Sequence, residues 1–459
     1  MFSYMRQSKK FYREVVMLAV PMVLQNMVTA SLGMLDSFMV GLLGEAPLAA
    51  VTMANTPIMV IMLMTFGLQS GGSVLISQFY GKKDYDSINR VLGIGVYAAA
   101  GVTLVYGLIT FLFPVQFMSL FGNDAGVVAM ASKYARIVAF SFFFDCVASV
   151  YVAAHRSMAN PKPGMVVFMV SMLLNTILNW MFIFGKLGAP ALGVEGAALA
   201  TLISRISELV LVGIYVLRDR KLPLRLGLIF APGVDMVRKY VRYSLPVLLN
   251  ETLWGLGSSI YPTIMGHMAG SQAILAAFGV SGNIERLCTV AIFGVSGAAS
   301  IIIGREIGAG EDQEKILSVG KALDALSVLV GLVVGGIFIA VTYGFFEPVI
   351  YPLFGLSPEA TDIATMMLVV TFAFLAFRAF NTTNVVGVIR GGGDVRTAAI
   401  IDLSPMWLVA IPAAALSGLV FQWGILAVYL CISLDNVVKL ILGVWRLRSG
   451  KWIRDLTAA

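Results

Sequence analysis

This sequence predicts an all-α integral membrane protein with twelve transmembrane helices in two repeated six-helix lobes, and three observations carry that prediction. Of its 459 residues, 59% are hydrophobic and 12% charged, with a mean hydropathy of +0.89, far above what a water-soluble domain carries. The apolar residues gather into twelve stretches, each long enough to meet the roughly 20 residues that a helix needs to cross a bilayer. The landmarks of the first six stretches return in the second six, in the same order.

The spans are expected near 15–43, 48–79, 91–113, 127–153, 162–185, 190–217, 239–265, 273–303, 321–345, 359–388, 397–420 and 421–446. Long, uniformly apolar runs favour helices, because the strands of a membrane β-barrel would show alternating segments of about ten residues. Pro21-Met22-Val23-Leu24-Gln25-Asn26 opens the first span and returns as Pro246-Val247-Leu248-Leu249-Asn250-Glu251 in the seventh. Phe66-Gly67, Ser73 and Gly81 return as Phe293-Gly294, Ser300 and Gly308. His155-Arg156 followed by Asn160 returns as Ile389-Arg390 followed by Asp394. Such ordered recurrence argues for a duplicated six-helix unit, the internal symmetry on which many carriers are built. Residues 1–217 form the expected N-terminal lobe, 218–238 a cytoplasmic linker and 239–459 the C-terminal lobe.

Loops that stay in the cytoplasm collect Lys and Arg, and here the basic residues alternate with the spans. Arg6, Lys9, Lys10 and Arg13 precede the first span; Lys82, Lys83 and Arg90 follow the second; Arg156 and Lys162 follow the fourth. The central linker region holds Arg218, Arg220, Lys221, Arg225, Arg238, Lys239 and Arg242. Arg305, Lys315 and Lys321, then Arg390 and Arg396, fill the later inside loops, and Arg446, Arg448, Lys451 and Arg454 close the tail. These are 25 of the 32 basic residues, so both termini and the linker are expected in the cytoplasm, in a cell inner membrane. The net charge of +7 follows from topology and calls for no nucleic-acid partner. The run from Val15 onward is too long for a signal peptide's apolar region, so the first span is read as retained.

Cys146, Cys288 and Cys431 show no paired spacing, and His155 and His267 stand far apart, a pattern that offers no disulfide, metal cluster or His-based catalytic site. Gly391-Gly392-Gly393 leads to Asp394-Val395 rather than Lys-Ser or Lys-Thr, so no phosphate loop for ATP is present. No cofactor is expected, and an enzymatic role is not.

A charge at the bilayer centre costs at least about 2.5–3.5 kcal/mol, so ionisable groups within spans point to function. Asp36, in Ser31-Leu32-Gly33-Met34-Leu35-Asp36-Ser37-Phe38, has no Lys or Arg within a helical turn. A carboxyl there can carry a proton on and off or ligate Na⁺, or it can lie hydrated near the outer mouth. Its repeat mate, at the same distance from the proline, is Tyr261, so an ion site would belong to one lobe. Asn175 and Asn179, four apart in the fifth span, share a helical face and can serve that carboxyl or bond between helices. Glu251 lies five residues past Pro246, where it can meet a cationic substrate or stay partly hydrated. Arg205 with Glu208 and Asp435 with Lys439 have helical pairing distances. Arg286, beside Glu285, and Arg378 need partners from other helices, and Asp145 and Asp402 remain weaker candidates. Eighteen of the 24 methionines precede residue 218. Among them Met34, Met62 and Met172, together with Tyr261, are candidate substrate contacts, since flexible thioethers suit a pocket that accepts many shapes.

Over essentially its whole length the chain resembles the MATE family, the multidrug and toxic compound extrusion transporters. The residues that carry the resemblance are Leu35-Asp36-Ser37-Phe38-Met39-Val40-Gly41, the Phe-Gly…Ser…Gly pattern of the second and eighth spans, Asn175 through Gly185, and Arg390-Gly-Gly-Gly-Asp394. The resemblance implies a V-shaped pair of lobes that alternate between outward and inward openings, exporting small organic cations or drugs in exchange for H⁺ or Na⁺, as a monomer in the lipid bilayer. It matches Asp36 to an ion-coupling acid and Asn175 to its amide partner. The DinF-like branch carries Asp where this chain has Asn179, which leaves Asp36 to act with amides, with another acid or through Na⁺. The stretch where the NorM-like branch places an acid in the tenth span reads Ala379-Phe380-Asn381, while Glu251 is similar to that branch's seventh-span acid. Two alternatives carry different expectations. A lipid-linked oligosaccharide flippase of the related superfamily would line its cavity with several cations, and a membrane lipid enzyme would need a nucleophile or metal motif.

Overall fold

The computed structural model describes residues 7–219 and 221–458; Arg6 and Arg220 of the basic clusters lie outside them. It is helical throughout, and apart from one isolated bridge between Gly393 and Ile453 the described residues form no β-structure. Twelve long helical segments follow the predicted order. They are α1 (Lys9–Gly41), α2 (Glu45–Lys82), α3 (Tyr85–Leu112), α4 (Ala125–Val138 and Ser141–Ser157), α5 (Lys162–Phe184) and α6 (Val194–Arg218). The second half comprises α7 (Val234–Gly266), α8 (Ser271–Gly308), α9 (Gln313–Leu353), α10 (Pro358–Ala373 and Leu375–Ile389), α11 (Val395–Val420) and α12 (Ile425–Ser449). Two short helices, Pro114–Met118 and Leu226–Phe230, lie in connections.

Nine of these segments are single helices long and apolar enough to cross a membrane, and α4 and α10 qualify as pairs bent by 45° and 52°. The remaining one, α7, has 33 residues but carries Asn250, Glu251 and several serines, which dilute its hydropathy. Several helices outrun their expected spans: α2 runs to Lys82 and α9 begins at Gln313, because apolarity marks only the membrane-embedded part of a helix.

Local chemistry sets the ends. Asp84, Asp124 and Ser357 accept from the backbone N–H three residues on, at 3.0, 2.8 and 3.2 Å, and so cap α3, α4 and α10. The C-terminal ends of α2 and α8 repeat each other: Asp84 N donates to Phe79 O at 2.9 Å, and Glu311 N to Glu306 O at 3.2 Å. Each passes through a left-handed residue, Lys83 (φ 62°) and Gly310 (φ 75°), as a Schellman-type closure requires. The ends of α4 and α10 repeat likewise, with Asn160 N to His155 O at 3.0 Å and Asp394 N to Ile389 O at 3.1 Å.

Contacts divide the chain into two compact units, one comprising Leu24–Leu248 and the other joining the chain up to Val23 to the chain from Leu249 onward. Both cuts fall two residues after the landmark prolines, Pro21 and Pro246. The Phe-Gly landmark explains the grouping. A Cβ on Gly67 would meet Leu248 Cα at 2.6 Å, and one on Gly294 would meet Val23 Cγ2 at 2.4 Å and Ala19 O at 3.0 Å. Each glycine thus lets a neighbouring helix approach at backbone distance, as small residues do between membrane helices. In the first unit Val40, Ile58, Tyr106, Tyr134, Phe142 and Ile183 are buried together; in the second, Met265, Ile284, Ile292, Met367, Phe372 and Leu375 are. Within its apolar window, α8 is 72% buried against 22% for α12, which makes α8 the interior helix of its unit.

Candidate functional site

In the Leu24–Leu248 unit, Asp36 lies in the second half of α1, three turns beyond Leu24. The Asn179 side-chain amide on α5 donates to Asp36 Oδ1 at 2.5 Å and to Asn175 Oδ1 at 3.0 Å. Asn179 therefore touches the carboxylate, and Asn175 holds Asn179 in place one turn away. Both asparagines are 1% exposed, and Asn179 Oδ1 is a buried acceptor without a hydrogen-bond partner. A carboxylate and an unfilled amide oxygen are oxygen donors of the kind that a proton or Na⁺ seeks.

Arg205 on α6, in the same unit, is held by two other acids. Its Nη1 lies 3.0 Å from Asp145 Oδ1 on α4 and 2.8 Å from Glu208 Oε1. The Glu208 side chain is 1% exposed, and those of Arg205 and Asp145 are 15% exposed. One guanidinium thus faces two carboxyl groups, so the cluster is short of positive charge. The three-residue spacing foretold Arg205 with Glu208; Asp145 joins them from 60 positions away. Met34 and Met62 are 47% and 46% exposed on the surface of this unit, and Met172 is half-buried.

In the other unit, Glu251 pairs with Arg390 at 2.9 Å, the Arg390 side chain being 2% exposed. Tyr261 is buried. Lys439 lies 3.0 Å from Asp402 and 3.1 Å from Asp435, and Asn250 donates to Asp402 at 3.0 Å. Glu285 pairs with Arg378 rather than with its neighbour Arg286, which is exposed. The Gly391-Gly392-Gly393 run serves packing: Gly391 lies against Ser300, Gly392 under the Trp452 ring, and Gly393 takes a φ of +91°. Asp394 behind it accepts from Arg446 Nε at 2.8 Å and pairs with Arg454 at 2.9 Å. Sequence reasoning passed over Asp324 on α9, which is 2% exposed and accepts from Asn384 at 2.7 Å. Its signal was available, an acid within Gly320-Lys321-Ala322-Leu323-Asp324-Ala325, but Lys321, three positions before it, marked the stretch as a cytoplasmic loop.

Twelve spans built as two repeats, with polar clusters inside each, define a multi-pass membrane carrier. The sequence model of the MatE family matches residues 21–181 and 246–416, and the chain belongs to that family, whose members are transporters and not enzymes. The chain is 25% identical to the probable multidrug resistance protein NorM of Thermotoga maritima, over 96% of its length and 93% of the relative's. It is 28% identical to the probable multidrug resistance protein YoeA of Bacillus subtilis, covering 88% and 86%. Among solved structures, its fold matches that of a MOP superfamily transporter from Pyrococcus furiosus with a TM-score of 0.85, at 21% identity and covering 98% of each chain.

Proposed function

We propose that this protein is a secondary active exporter of small organic cations or drugs, driven by antiport of H⁺ or Na⁺ and working by alternating access. The carrying observation is Asp36, a carboxyl within a spanning helix that is bonded by an amide rather than a cation. A group in that setting gains much from taking up a cation and releases it when the surroundings change. Asn175 and Asn179 orient the carboxyl. Binding of the ion favours one conformation, a cationic amphiphile favours the other, and the difference in affinity between states drives the cycle. The names of the NorM and YoeA relatives support drugs as the cargo. Met34, Met62 and Met172, with Glu251 and Tyr261, are proposed substrate contacts. The lobes 1–217 and 239–459 act as the moving parts, in a monomer in the cytoplasmic membrane with both termini inside, as the basic residues indicate.

The test is transport of a fluorescent organic cation into or out of proteoliposomes under an imposed pH gradient and, separately, a Na⁺ gradient. Uphill movement under one gradient alone, lost in Asp36→Asn, is the expected result and names the ion. Full transport by folded Asp36→Asn would overturn the coupling role. No movement under either gradient would favour an anionic or lipid-linked substrate. Glu251→Gln is expected to weaken transport chiefly of cationic substrates; equal loss for neutral ones would remove Glu251 from charge recognition.

A further inference from the structure

Asp324 sits eleven residues into α9 from Gln313, about 16 Å along the helix axis. Among the described residues its one hydrogen-bond donor is the Asn384 amide at 2.7 Å, and none of their cations is paired with it. Of the charged side chains on the helices packed against α9, Arg286 on α8 and Arg448 on α12 are exposed, Lys321, one turn before Asp324 on α9, has an interaction of its own, and the following are engaged elsewhere. On α10, Arg378 is held by Glu285 of α8 and Arg390 by Glu251. On α12, Lys439 is held by Asp402 and Asp435, and Arg446 by Asp394. On α9 itself, Lys315 is held by Glu306 and Glu311. A carboxylate taken out of water with no counter-charge costs several kcal/mol.

The unfilled atoms say what is missing. Asp324 Oδ1 and Asn384 Oδ1 are both buried acceptors without a partner, and Asn384 is fully buried. A carboxylic acid and an amide can exchange two hydrogen bonds, N–H to carbonyl and O–H to amide oxygen; this pair makes only the first. The backbone is arranged around the amide. Asn384 lies in a π-helical stretch of α10, Thr383–Ile389, a local widening often found at functional positions. Across from it α12 presents Gly443, where a Cβ would meet Asn384 Oδ1 at 2.7 Å.

We propose that Asp324 and Asn384 form a second proton-binding site, in the unit that does not contain Asp36, in which a proton on Asp324 Oδ1 takes the place of the absent counter-charge. The step is a single protonation: the carboxylate gains an O–H bond and solvent gives up one proton. The acid then donates where the carboxylate could only accept. The proposal stands apart from the Asp36 reading, because it concerns proton uptake by the resting protein and needs no transport.

The experiment is pH-difference infrared spectroscopy of the purified full-length protein in lipid. In Asp36→Asn, a buried-carboxyl C=O band is expected to appear on acidification, and in Asp36→Asn/Asp324→Asn that band is expected to vanish while size-exclusion profile and helix content stay unchanged. An identical band in both proteins would overturn the proposal. So would a shift of the carboxylate stretch on adding Na⁺ at constant alkaline pH that is lost with Asp324→Asn, which would reassign the site to sodium. Should Asp324→Asn fail to fold, Asn384→Leu removes the amide that bonds the carboxyl in both its forms. The midpoint of the band is then expected to shift by at least about tenfold in proton concentration, and an unmoved midpoint would overturn the assignment.

Discussion

The sixth helix of each half carries one buried cation flanked by two carboxylates. Arg205 on α6 lies between Asp145 and Glu208, and Lys439 on α12 lies between Asp402 and Asp435. The two cations occupy equivalent repeat positions, with the same spacing of 234 that relates His155 to Ile389. The acids around them have been redistributed. Glu208 follows its arginine by three positions, whereas Asp435 precedes its lysine by four. What the duplication kept is a pattern of charge, one cation shared between two acids, which can be rebuilt from different helical neighbours. Against that common frame the halves differ at one depth: where the first has Asp36, the second has Tyr261. A feature present in both halves is expected to serve architecture, and one present in a single half to serve the task that the halves divide.

The largest expected effect tests that division. Asp36→Asn should abolish gradient-driven export in proteoliposomes, while Tyr261→Phe should leave coupling in place and alter at most substrate preference; comparable loss in both would break the asymmetry. Next come the shared cations. Arg205→Met and Lys439→Met each leave two largely buried acids without their counter-charge, and each should cost up to about 3–5 kcal/mol, read as a lower midpoint of thermal unfolding in detergent. Adding Asp145→Asn and Glu208→Gln to Arg205→Met should recover most of that loss, and failure to recover would mean that Arg205 acts through packing instead. Smaller effects should follow from the glycines. Gly67→Ala and Gly294→Ala meet Leu248 and Val23 head-on and should each cost about 1–3 kcal/mol. Gly33→Ala, whose new Cβ would meet nothing within 4 Å, should stabilise α1 by about 0.5–1 kcal/mol. Loss of stability there would mean that helix α1 needs its flexibility beside Asp36.

Twelve spans were legible because burial in lipid leaves a continuous apolar record. The seventh, at 239–265, was read as an apolar stretch although Asn250 and Glu251 interrupt the run, and the repeated proline landmark supports it. Partners within a helix were legible too, as Glu208 with Arg205 and Asp435 with Lys439 were, because helical geometry fixes which residues meet. Partners between helices were not: nothing in the spacing ties Arg205 to Asp145, Lys439 to Asp402, Arg378 to Glu285 or Glu251 to Arg390. The order within the asparagine pair was hidden as well. A spacing of four puts both amides on one face, but which of them reaches Asp36 depends on how α5 is placed against α1. Asp324 was missed for a different reason, since the same stretch of chain serves as topological charge and as buried chemistry.

The exchanged starts of α1 and α7 have a consequence for how such a chain could be divided or assembled. Gly294 finds its packing partner in residues 19 and 23, and Gly67 finds its partner in residue 248, so each half of the gene encodes a strut that completes the other half's unit. A half-length chain cut within the central linker would lack that strut and expose the glycine groove made for it. Two such fragments could be rebuilt only together, each lending its leading arm to the other, as in a swapped dimer whose subunits have been fused into one polypeptide.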